Sequence, residues 1–467
     1  MIECNLQKQK INERKFTMEK LFKLKEHGTD VKTEIIAGIT TFLAMAYILA
    51  VNPSYLGGID GMSAGAVFSA TAISAGIATL CMAFFANYPV ALASGMGLNA
   101  FFAFTVCGAM GYSYKVALTA VFIEGIIFML LSLFKFREAL VNKIPSNLKF
   151  AITAGIGLFI AIIALLNANV VVASESTTVA LGELSSPTVV LSLVGLLIIG
   201  ALQHYKVPGG ILLGILITWV LGIIAQLVGW YVPNPEAGVY SVIPQFSLSS
   251  FEAPKMFQFD FGFIAKNVPA FILIVFTFLY TDIFDTVGTL IGVAEKGKLL
   301  DKDGSLPNAT GALMADAVGT VVGACFGTST VTSYVESSAG VAAGGRTGLT
   351  AVTTAVLFFI SLIFAPIFTS IPSFATTPAM LYVGLLMLSS IRQVKFDGDI
   401  ADADDRNIEL LLFQNPPIEK PVAQQDPQLI KERNRHQKKI RHSQYWFIAI
   451  KDSNNSMNYK RNTPKLG

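Results

Sequence analysis

Acidic side chains inside long apolar segments are the residues of this sequence that most clearly indicate chemistry. Glu336 lies in the stretch G-T-S-T-V-T-S-Y-V-E-S-S-A-G (327–340), which is rich in small and hydroxyl side chains and flanked by apolar sequence. An ionisable group at membrane depth is costly and is a functional-site hypothesis by default. The glycine, serine and threonine content predicts a broken segment, with an extended piece over residues 328–332 and a half-helix that begins near Ser333.

A second acidic pair lies in the stretch F-L-Y-T-D-I-F-D-T-V-G-T-L (278–290). Asp282 and Asp285 are one helical turn apart, so we expect them on one face of a helix. Two ionised carboxylates in one span would repel each other, and one of them can therefore hold a proton near neutral pH. The structural alternative for Asp285 is a helix cap or a bond to a neighbouring hydroxyl such as that of Thr286.

Asn99 is the third polar position, in A-S-G-M-G-L-N-A-F-F (93–102). An amide within a span can bind a ligand or form an interhelical hydrogen bond, and both interpretations stay open. Gly95 and Gly97 in the same stretch predict a close backbone approach that shapes the site. Two further intramembrane carboxylates, Glu124 and Asp316, are interpreted as satisfied structural groups.

Together these side chains predict a site for a neutral, planar solute with several hydrogen-bond donors. A carboxylate accepts two parallel N–H bonds from adjacent donors on a ring edge, and the predicted site contains no lysine or arginine to attract an anion. Protonation of Glu336 or Asp282 can couple binding to a proton gradient. No ATP-binding or hydrolytic motif is present, and the four cysteines form no C-x-x-C pair, so we expect no catalytic residue, metal or cofactor.

The rest of the chain must place these groups within a membrane. Of 467 residues, 53% are hydrophobic and 14% charged, against about 25% charged in soluble domains. This composition predicts an all-α polytopic membrane protein surrounded by lipid. Twelve apolar segments are expected, at residues 34–52, 63–86, 89–108, 114–134, 148–166, 187–203, 209–230, 264–293, 309–325, 327–343, 346–366 and 374–391.

Positive charges predict the orientation of these segments. With the N-terminus in the cytoplasm, all of the 34 lysines and arginines except Lys115, Lys255 and Lys266 fall at cytoplasmic ends. Cytoplasmic enrichment of these residues is the general orientation rule. We therefore expect a multi-pass protein of the cell membrane with both termini in the cytoplasm. The net charge of +3 is segregated to the ends and loops and does not indicate nucleic-acid binding.

The segments repeat with opposite orientation. Asn99 in the third segment and Glu336 in the tenth occupy corresponding broken segments, which are expected to meet near the membrane midplane. Seven segments precede the second unit, so it starts from the other side of the membrane. These features predict a 7+7 inverted-repeat fold in which the second unit supplies only five segments and the last two spans are absent.

Four stretches of the chain resemble the nucleobase–cation symporter 2 superfamily, in particular its AzgA-like branch of adenine, guanine and hypoxanthine permeases. They are A-G-I-T-T-F-L-A-M-A-Y-I-L-A-V-N-P (37–53), A-S-G-M-G-L-N-A-F-F (93–102), D-I-F-D-T-V-G-T-L (282–290) and G-T-S-T-V-T-S-Y-V-E-S-S-A-G-V-A-A-G-G-R-T-G (327–348). The resemblance implies proton symport and an elevator-like movement of a core domain against a gate domain, usually in a homodimer. It implies purine binding at Asn99, Asp282, Asp285 and Glu336.

That fold implies a division of this chain into seven parts. We expect a cytoplasmic N-terminal segment (1–33), a core domain of the first repeat (34–134), a gate domain of the first repeat (135–230), an extracellular loop (231–263), a core domain of the second repeat (264–366), a partial gate domain (367–391) and a polar, disordered cytoplasmic tail (392–467). The sequence departs from the family pattern after about Asp397. We therefore expect an intact core-domain site but impaired transport, gating and dimerisation.

Two other functions stay open as alternatives. An anion transporter of the same architecture, as in sulfate carriers, predicts a cation at the tenth-segment position, where Glu336 stands. An intramembrane aspartyl enzyme places its two carboxylates on different helices, whereas Asp282 and Asp285 share one.

Overall fold

The structure is a computed structural model that describes residues 19–133, 146–174, 178–233, 241–243, 252–301 and 306–394. Several predicted parts fall wholly or partly elsewhere. The tail predicted at 392–467 lies almost entirely outside the described residues, as do most of the N-terminal segment at 1–33 and parts of the regions at 135–230 and 231–263.

Helices account for most of the described chain. They are α1 (Val31–Met45), α2 (Ile48–Leu56), α3 (Ala64–Phe85), α4 (Met96–Ala100), α5 (Tyr114–Leu133), α6 (Ser146–Asn167), α7 (Pro187–His204), α8 (Gly210–Leu227), α9 (Gly262–Lys266), α10 (Val268–Gly297), α11 (Ala309–Phe326), α12 (Ser337–Ala342), α13 (Gly348–Ser361), α14 (Ala365–Thr369) and α15 (Ser373–Leu388). The strands are β1 (Leu92–Ser94), β2 (Val171–Ser174), β3 (Thr178–Leu181) and β4 (Val331–Ser333). Within the described residues, nine helical stretches are long and apolar enough to cross a membrane. The predicted all-α polytopic fold is confirmed.

Both predicted broken segments are present, and they pair with each other. Strands β1 and β4 form an antiparallel ladder in which Leu92 lies opposite Ser333. Backbone bonds from Gly95 to Thr330 (3.0 Å) and from Tyr334 to Ala91 (3.0 Å) extend it at both ends. The ladder satisfies backbone groups that an interrupted helix would leave unpaired in an apolar environment. Because the strands are antiparallel, α4 and α12 leave from opposite ends of the ladder.

The second half-helix begins later than the sequence predicts. We expected a helix from about Ser333, whereas Ser333 is the last residue of β4 and α12 begins at Ser337. The ladder with β1 holds this residue in the extended conformation. A turn follows, closed by the bond from the Ser337 N–H to the Tyr334 carbonyl (3.1 Å). Glu336 therefore stands in the turn before the half-helix.

The first broken segment also changes its helical geometry. After α4, residues Phe101–Ala109 form a π-helix. Helical turns of this type are rare and often occur at functional sites. Its residues pack against α5 and continue from α4, so the whole segment lies within the helical assembly.

A first group of packed helices surrounds the ladder. It comprises α1, α2, α3, α4, α5, α10, α11 and α13, with α11 against α3 and α5, and α13 against α1 and α3. Side-chain caps define where several of these helices start. Asp30 accepts bonds from two N–H groups of α1, and Ser63 accepts one from α3.

A second group comprises α6, α7, α8 and α15. Helices α6 and α15 approach closely because Gly157 and Gly384 face each other: a Cβ atom on Gly384 would lie 2.8 Å from the Gly157 carbonyl oxygen. Small residues at such contacts let membrane helices pack without large side chains between them. Ser192 on α7 donates to the Phe374 carbonyl on α15 at 3.1 Å. The two groups touch where α4 packs against α6 and α2 against α15.

Candidate functional site

Glu336 is half-buried in the turn between β4 and α12. The hydroxyl of Tyr47, which is fully buried between α1 and α2, donates to its Oε1 at 2.6 Å. A hydrogen bond of this length to a carboxylate oxygen orients the carboxyl group and leaves acceptor positions for another donor.

Asp285 faces the same space from α10. It is half-buried, and its carboxyl lies close enough to Glu336 for the two charges to interact. The structural alternative involving Thr286 does not hold, because the Thr286 hydroxyl donates to Asp316 at 2.8 Å. Asp285 and Glu336 thus bring acceptor oxygens together from two separate elements.

Two buried tyrosines complete the surroundings of this acidic pair. Tyr334 interacts electrostatically with both Glu336 and Asp285, and its hydroxyl donates to the Ser94 carbonyl at 2.5 Å, which joins β1 to the turn after β4. Tyr55 on α2 lies near Tyr334, and its hydroxyl has no hydrogen-bond partner within the described residues. Neither tyrosine, nor Tyr47, stands out in the sequence, because aromatic residues in apolar spans are usually packing residues.

Asn99 is fully buried on α4, and neither its amide oxygen nor its amide nitrogen has a partner in the described part of the chain. The interhelical hydrogen bond considered from the sequence is thus not formed. Nearby glycines allow close packing: a Cβ atom on Gly95 would lie 2.8 Å from Thr332, and one on Gly97 would lie 2.5 Å from Cγ2 of Ile156. A buried amide without partners is costly and suits a ligand-binding role.

Asp282 belongs to a different cluster from Asp285, although the two are one turn apart. It is fully buried between α5, α10 and α11, together with Glu124 and Asp316. Asp316 accepts from Thr286 (2.8 Å) and Ser333 (3.0 Å), as a satisfied structural group would. Glu124 differs from Asp316, because neither of its oxygens has an N–H or O–H donor in the described residues.

A cavity of about 970 Å³ lies between the two helix groups. Its wall combines residues of α2, the π-helix and the start of α5 with residues of α15, among them Tyr55, Phe104, Cys107, Lys115, Thr376 and Met380. None of the four predicted binding residues is part of the wall. Tyr55 lines the cavity and also lies near Tyr334, which interacts with the acidic pair.

Glu34, near the start of α1, fixes the chain that follows α12. Its carboxylate accepts from the backbone N–H groups of Arg346 (2.8 Å), Thr347 (3.3 Å) and Thr350 (3.1 Å), and from the Thr350 hydroxyl (2.6 Å). It thereby caps α13 from a neighbouring helix. The sequence does not indicate this role, because Glu34 lies at the edge of the first apolar segment, where a charged residue is ordinary.

The protein has the features of a membrane transporter of the inverted-repeat type. These features are the paired half-helices, the acidic groups at their junction and a cavity between the helix groups. Solved structures of this class share the fold. The transmembrane domain of the cyanobacterial bicarbonate transporter BicA aligns with a TM-score of 0.60 at 15% identity over 81% of this chain and 94% of that one. Murine Slc26a9, an anion transporter in the inward-facing state, aligns with a TM-score of 0.53 at 11% identity over 80% and 62%.

Sequence comparison then identifies the family. The family model for xanthine/uracil permeases, described as "Permease family", matches residues 32–408 of this sequence. The chain therefore belongs to this family. A putative permease of Methanocaldococcus jannaschii is 46% identical over 84% of this chain and 87% of its own length. Adenine permease AdeQ of Escherichia coli is 43% identical (82% and 82%), and guanine/hypoxanthine permease PbuO of Bacillus subtilis is 46% identical (80% and 85%). These relatives are permeases rather than enzymes, which excludes the aspartyl-enzyme alternative.

Proposed function

We propose that this chain is a purine nucleobase permease of the cell membrane that carries guanine, hypoxanthine or adenine together with a proton. Relatives named as adenine permeases and guanine/hypoxanthine permeases support purines as the substrate class. The observation that carries the proposal is the pair Asp285 and Glu336, two half-buried acidic side chains that face each other from α10 and the second broken segment.

A purine suits this arrangement because its ring edge presents adjacent N–H donors to carboxylate acceptors. Asn99 adds an amide that both donates and accepts, and the Tyr55 hydroxyl adds another polar group without a partner in the described residues. An anion would need a free cation here. Arg346, the basic residue after the second broken segment, donates instead to the carbonyls of Val341 and Gly345 at 2.7 Å each.

Translocation in this proposal moves the first helix group, which carries Asn99, Asp282, Asp285 and Glu336, against the second group in an elevator-like motion. Protons enter through Glu336 and Asp282, since a protonated carboxyl and a bound purine can stabilise the same conformation. The distribution of lysine and arginine supports cytoplasmic termini. A homodimer would anchor the second group while the first one moves.

The test is uptake of labelled adenine, guanine, hypoxanthine, xanthine and uracil by cells that lack their own purine transporters and express the full chain. We expect saturable purine uptake, at a rate reduced by the impaired gating expected from the sequence, that rises as the external pH is lowered, because protons then drive entry. Glu336→Gln should abolish it. Glu295→Gln, an exposed glutamate at the end of α10, is the matched control and should retain uptake. If sulfate inhibited the uptake and unlabelled hypoxanthine did not, the alternative of an anion transporter would be supported instead.

A further inference from the structure

Three acidic side chains meet in the interior of the first helix group, away from the acidic pair described above. Glu124 on α5, Asp282 on α10 and Asp316 on α11 are all completely buried. The carboxyl of Glu124 lies within hydrogen-bonding range of the carboxyl of Asp282. Both carboxyls interact electrostatically with Asp316. We call these three residues the carboxyl cluster.

The groups that face the cluster are carboxyls and hydroxyls. Asp282 is faced by Asp285 on its own helix, by Thr320 on α11, which donates at 3.4 Å, and by Thr332 on β4. The Thr332 hydroxyl is paired with Thr286 at 2.7 Å. No lysine or arginine in the described residues forms an ion pair with Glu124 or Asp282.

Within the described residues, the hydrogen-bonding neighbour of Glu124 is Asp282, which is also a carboxyl. Both Glu124 oxygens and Oδ1 of Asp282 lack an N–H or O–H donor in the described chain. Two carboxylates cannot bond each other, because each supplies only acceptors. A hydrogen bond between them requires a proton, and a fully buried charge without a partner is otherwise strongly disfavoured.

We propose that Glu124, Asp282 and Asp316 form a proton-binding site in which Glu124 and Asp282 share a proton, and that this cluster carries the ion that drives transport. The part of this inference that concerns transport rests on the proposed function. Proton binding by the cluster does not depend on it. The cluster refines the proton route proposed above: Glu124 and Asp316 join Asp282 in binding the proton, whereas Glu336 acts with Asp285 on the purine.

The cluster is connected to the purine site through β4. Ser333 donates to Asp316, and Thr332 contacts Thr286, which also donates to Asp316. The turn with Glu336 follows directly after β4. Loss of the shared proton would leave Glu124 and Asp282 repelling each other and would displace α5 from α10. Purine and proton thus act on the same packed elements, which is the requirement for coupling.

Transport measurements in proteoliposomes that contain the full chain can distinguish proton coupling from purine binding. Wild-type protein should exchange internal for external purine without a gradient and should accumulate purine when the outside is acidic, by about tenfold per pH unit for one coupled proton. Glu124→Gln should retain exchange and lose accumulation. Accumulation by Glu124→Gln equal to that of the wild type would overturn the proposal, and so would accumulation that needs sodium instead of a pH gradient.

Infrared spectroscopy of the purified full chain at neutral pH tests the proton directly and does not depend on transport. We expect the carbonyl stretch of a protonated carboxylic acid in the wild type, reduced in Glu124→Gln and unchanged in the exposed control Glu295→Gln. A band that Glu124→Gln leaves at full strength would overturn the proposal, even for a variant that transports poorly. If the wild type exchanges no purine, the proposed function fails, while this spectrum still decides on the proton site.

Discussion

The acidic residues inside this protein differ in how many hydrogen bonds their carboxyl oxygens accept. We infer a different role for each residue from this difference. Glu34 accepts four hydrogen bonds from N–H and O–H donors. Glu336 accepts from the Tyr47 hydroxyl and is half-buried. Glu124 is fully buried and has no such donor in the described residues. The first environment suits a structural anchor, the second a ligand acceptor and the third a group that holds a proton.

Sequence reasoning identified only part of this set. Glu336 and Asp282 were identifiable because an acidic residue in an apolar segment is costly wherever it lies. The same argument could not separate Asp282 from Asp285, since only the packing of α5 and α11 against α10 places one of them in the interior and the other toward Glu336. Tyr47 and Tyr55 gave no signal, because an unpaired or bridging hydroxyl becomes visible only in three dimensions.

Removal of the Glu34 carboxylate should destabilise the fold more than removal of an exposed one. Glu34→Ala leaves buried N–H groups at the start of α13 without an acceptor, and each costs about 1–3 kcal/mol. We expect a clear decrease in the thermal unfolding temperature of the detergent-purified protein. Glu26→Ala is the control: Glu26 forms an exposed ion pair with Lys23 at 3.4 Å, and such pairs contribute little. Equal unfolding temperatures for the two variants would contradict this account.

At the scale of elements, the two broken segments are the part of the fold that sequence predicts best. Dense glycine, serine and threonine in 93–102 and 327–348 disfavour a continuous helix, and the hydrophobic flanks require the interruption to be covered by protein. Their antiparallel pairing through Leu92 and Ser333 agrees with the predicted inverted repeat. The start of α12 was misplaced because the partner strand, which lies some 240 residues away along the chain, holds Ser333 extended.

Packing of α4 against α6 should limit transport, because it joins the two helix groups. A methyl group on Gly97 would lie 2.5 Å from Cγ2 of Ile156. In Gly97→Ala the added methyl group should destabilise the conformation in which α4 packs against α6 by about 1–3 kcal/mol. We therefore expect the initial rate of purine uptake to fall about tenfold. Ile156→Ala removes the opposing side chain and should restore the rate in the double variant.

Gly155→Ala is the control for this pair of variants, since a Cβ atom on that neighbouring glycine of α6 would meet nothing within 4 Å. Its uptake should match the wild type at equal surface expression. A failure of Ile156→Ala to rescue Gly97→Ala would show that the loss arises from the backbone of α4 and not from the contact with α6.

For the whole molecule, the cavity between the helix groups is the feature that sequence could not supply. Its wall joins residues as distant along the chain as Tyr55 and Met380, and its volume depends on how the groups lie against each other. Asp60 and Lys115 are exposed residues of the wall, and Tyr55 in the wall lies near Tyr334. Under the proposed function we expect the cavity to be the entry route for the purine. The positive-charge rule assigns Lys115 to the outer face of the membrane.

Cys107 provides a direct measure of this route, because it lies in the π-helix and lines the cavity. In a variant that retains Cys107 as its only cysteine, a membrane-impermeant maleimide added to intact cells should label the protein. Saturating hypoxanthine should slow the labelling, since a purine in the site or a change to another conformation would obstruct the thiol. Cys107→Ser in the same background is the control and should remain unlabelled.

The labelling pattern also tests orientation independently of transport. Lys115 lies at the same cavity, so labelling from outside agrees with cytoplasmic termini, whereas labelling only in inside-out vesicles would place this cavity on the cytoplasmic face and reverse the orientation. Labelling from outside that no purine slows would separate the cavity from the substrate route. In that case Asp285 and Glu336 would have to be reached through another opening, and Tyr55 would line a cavity that no purine enters.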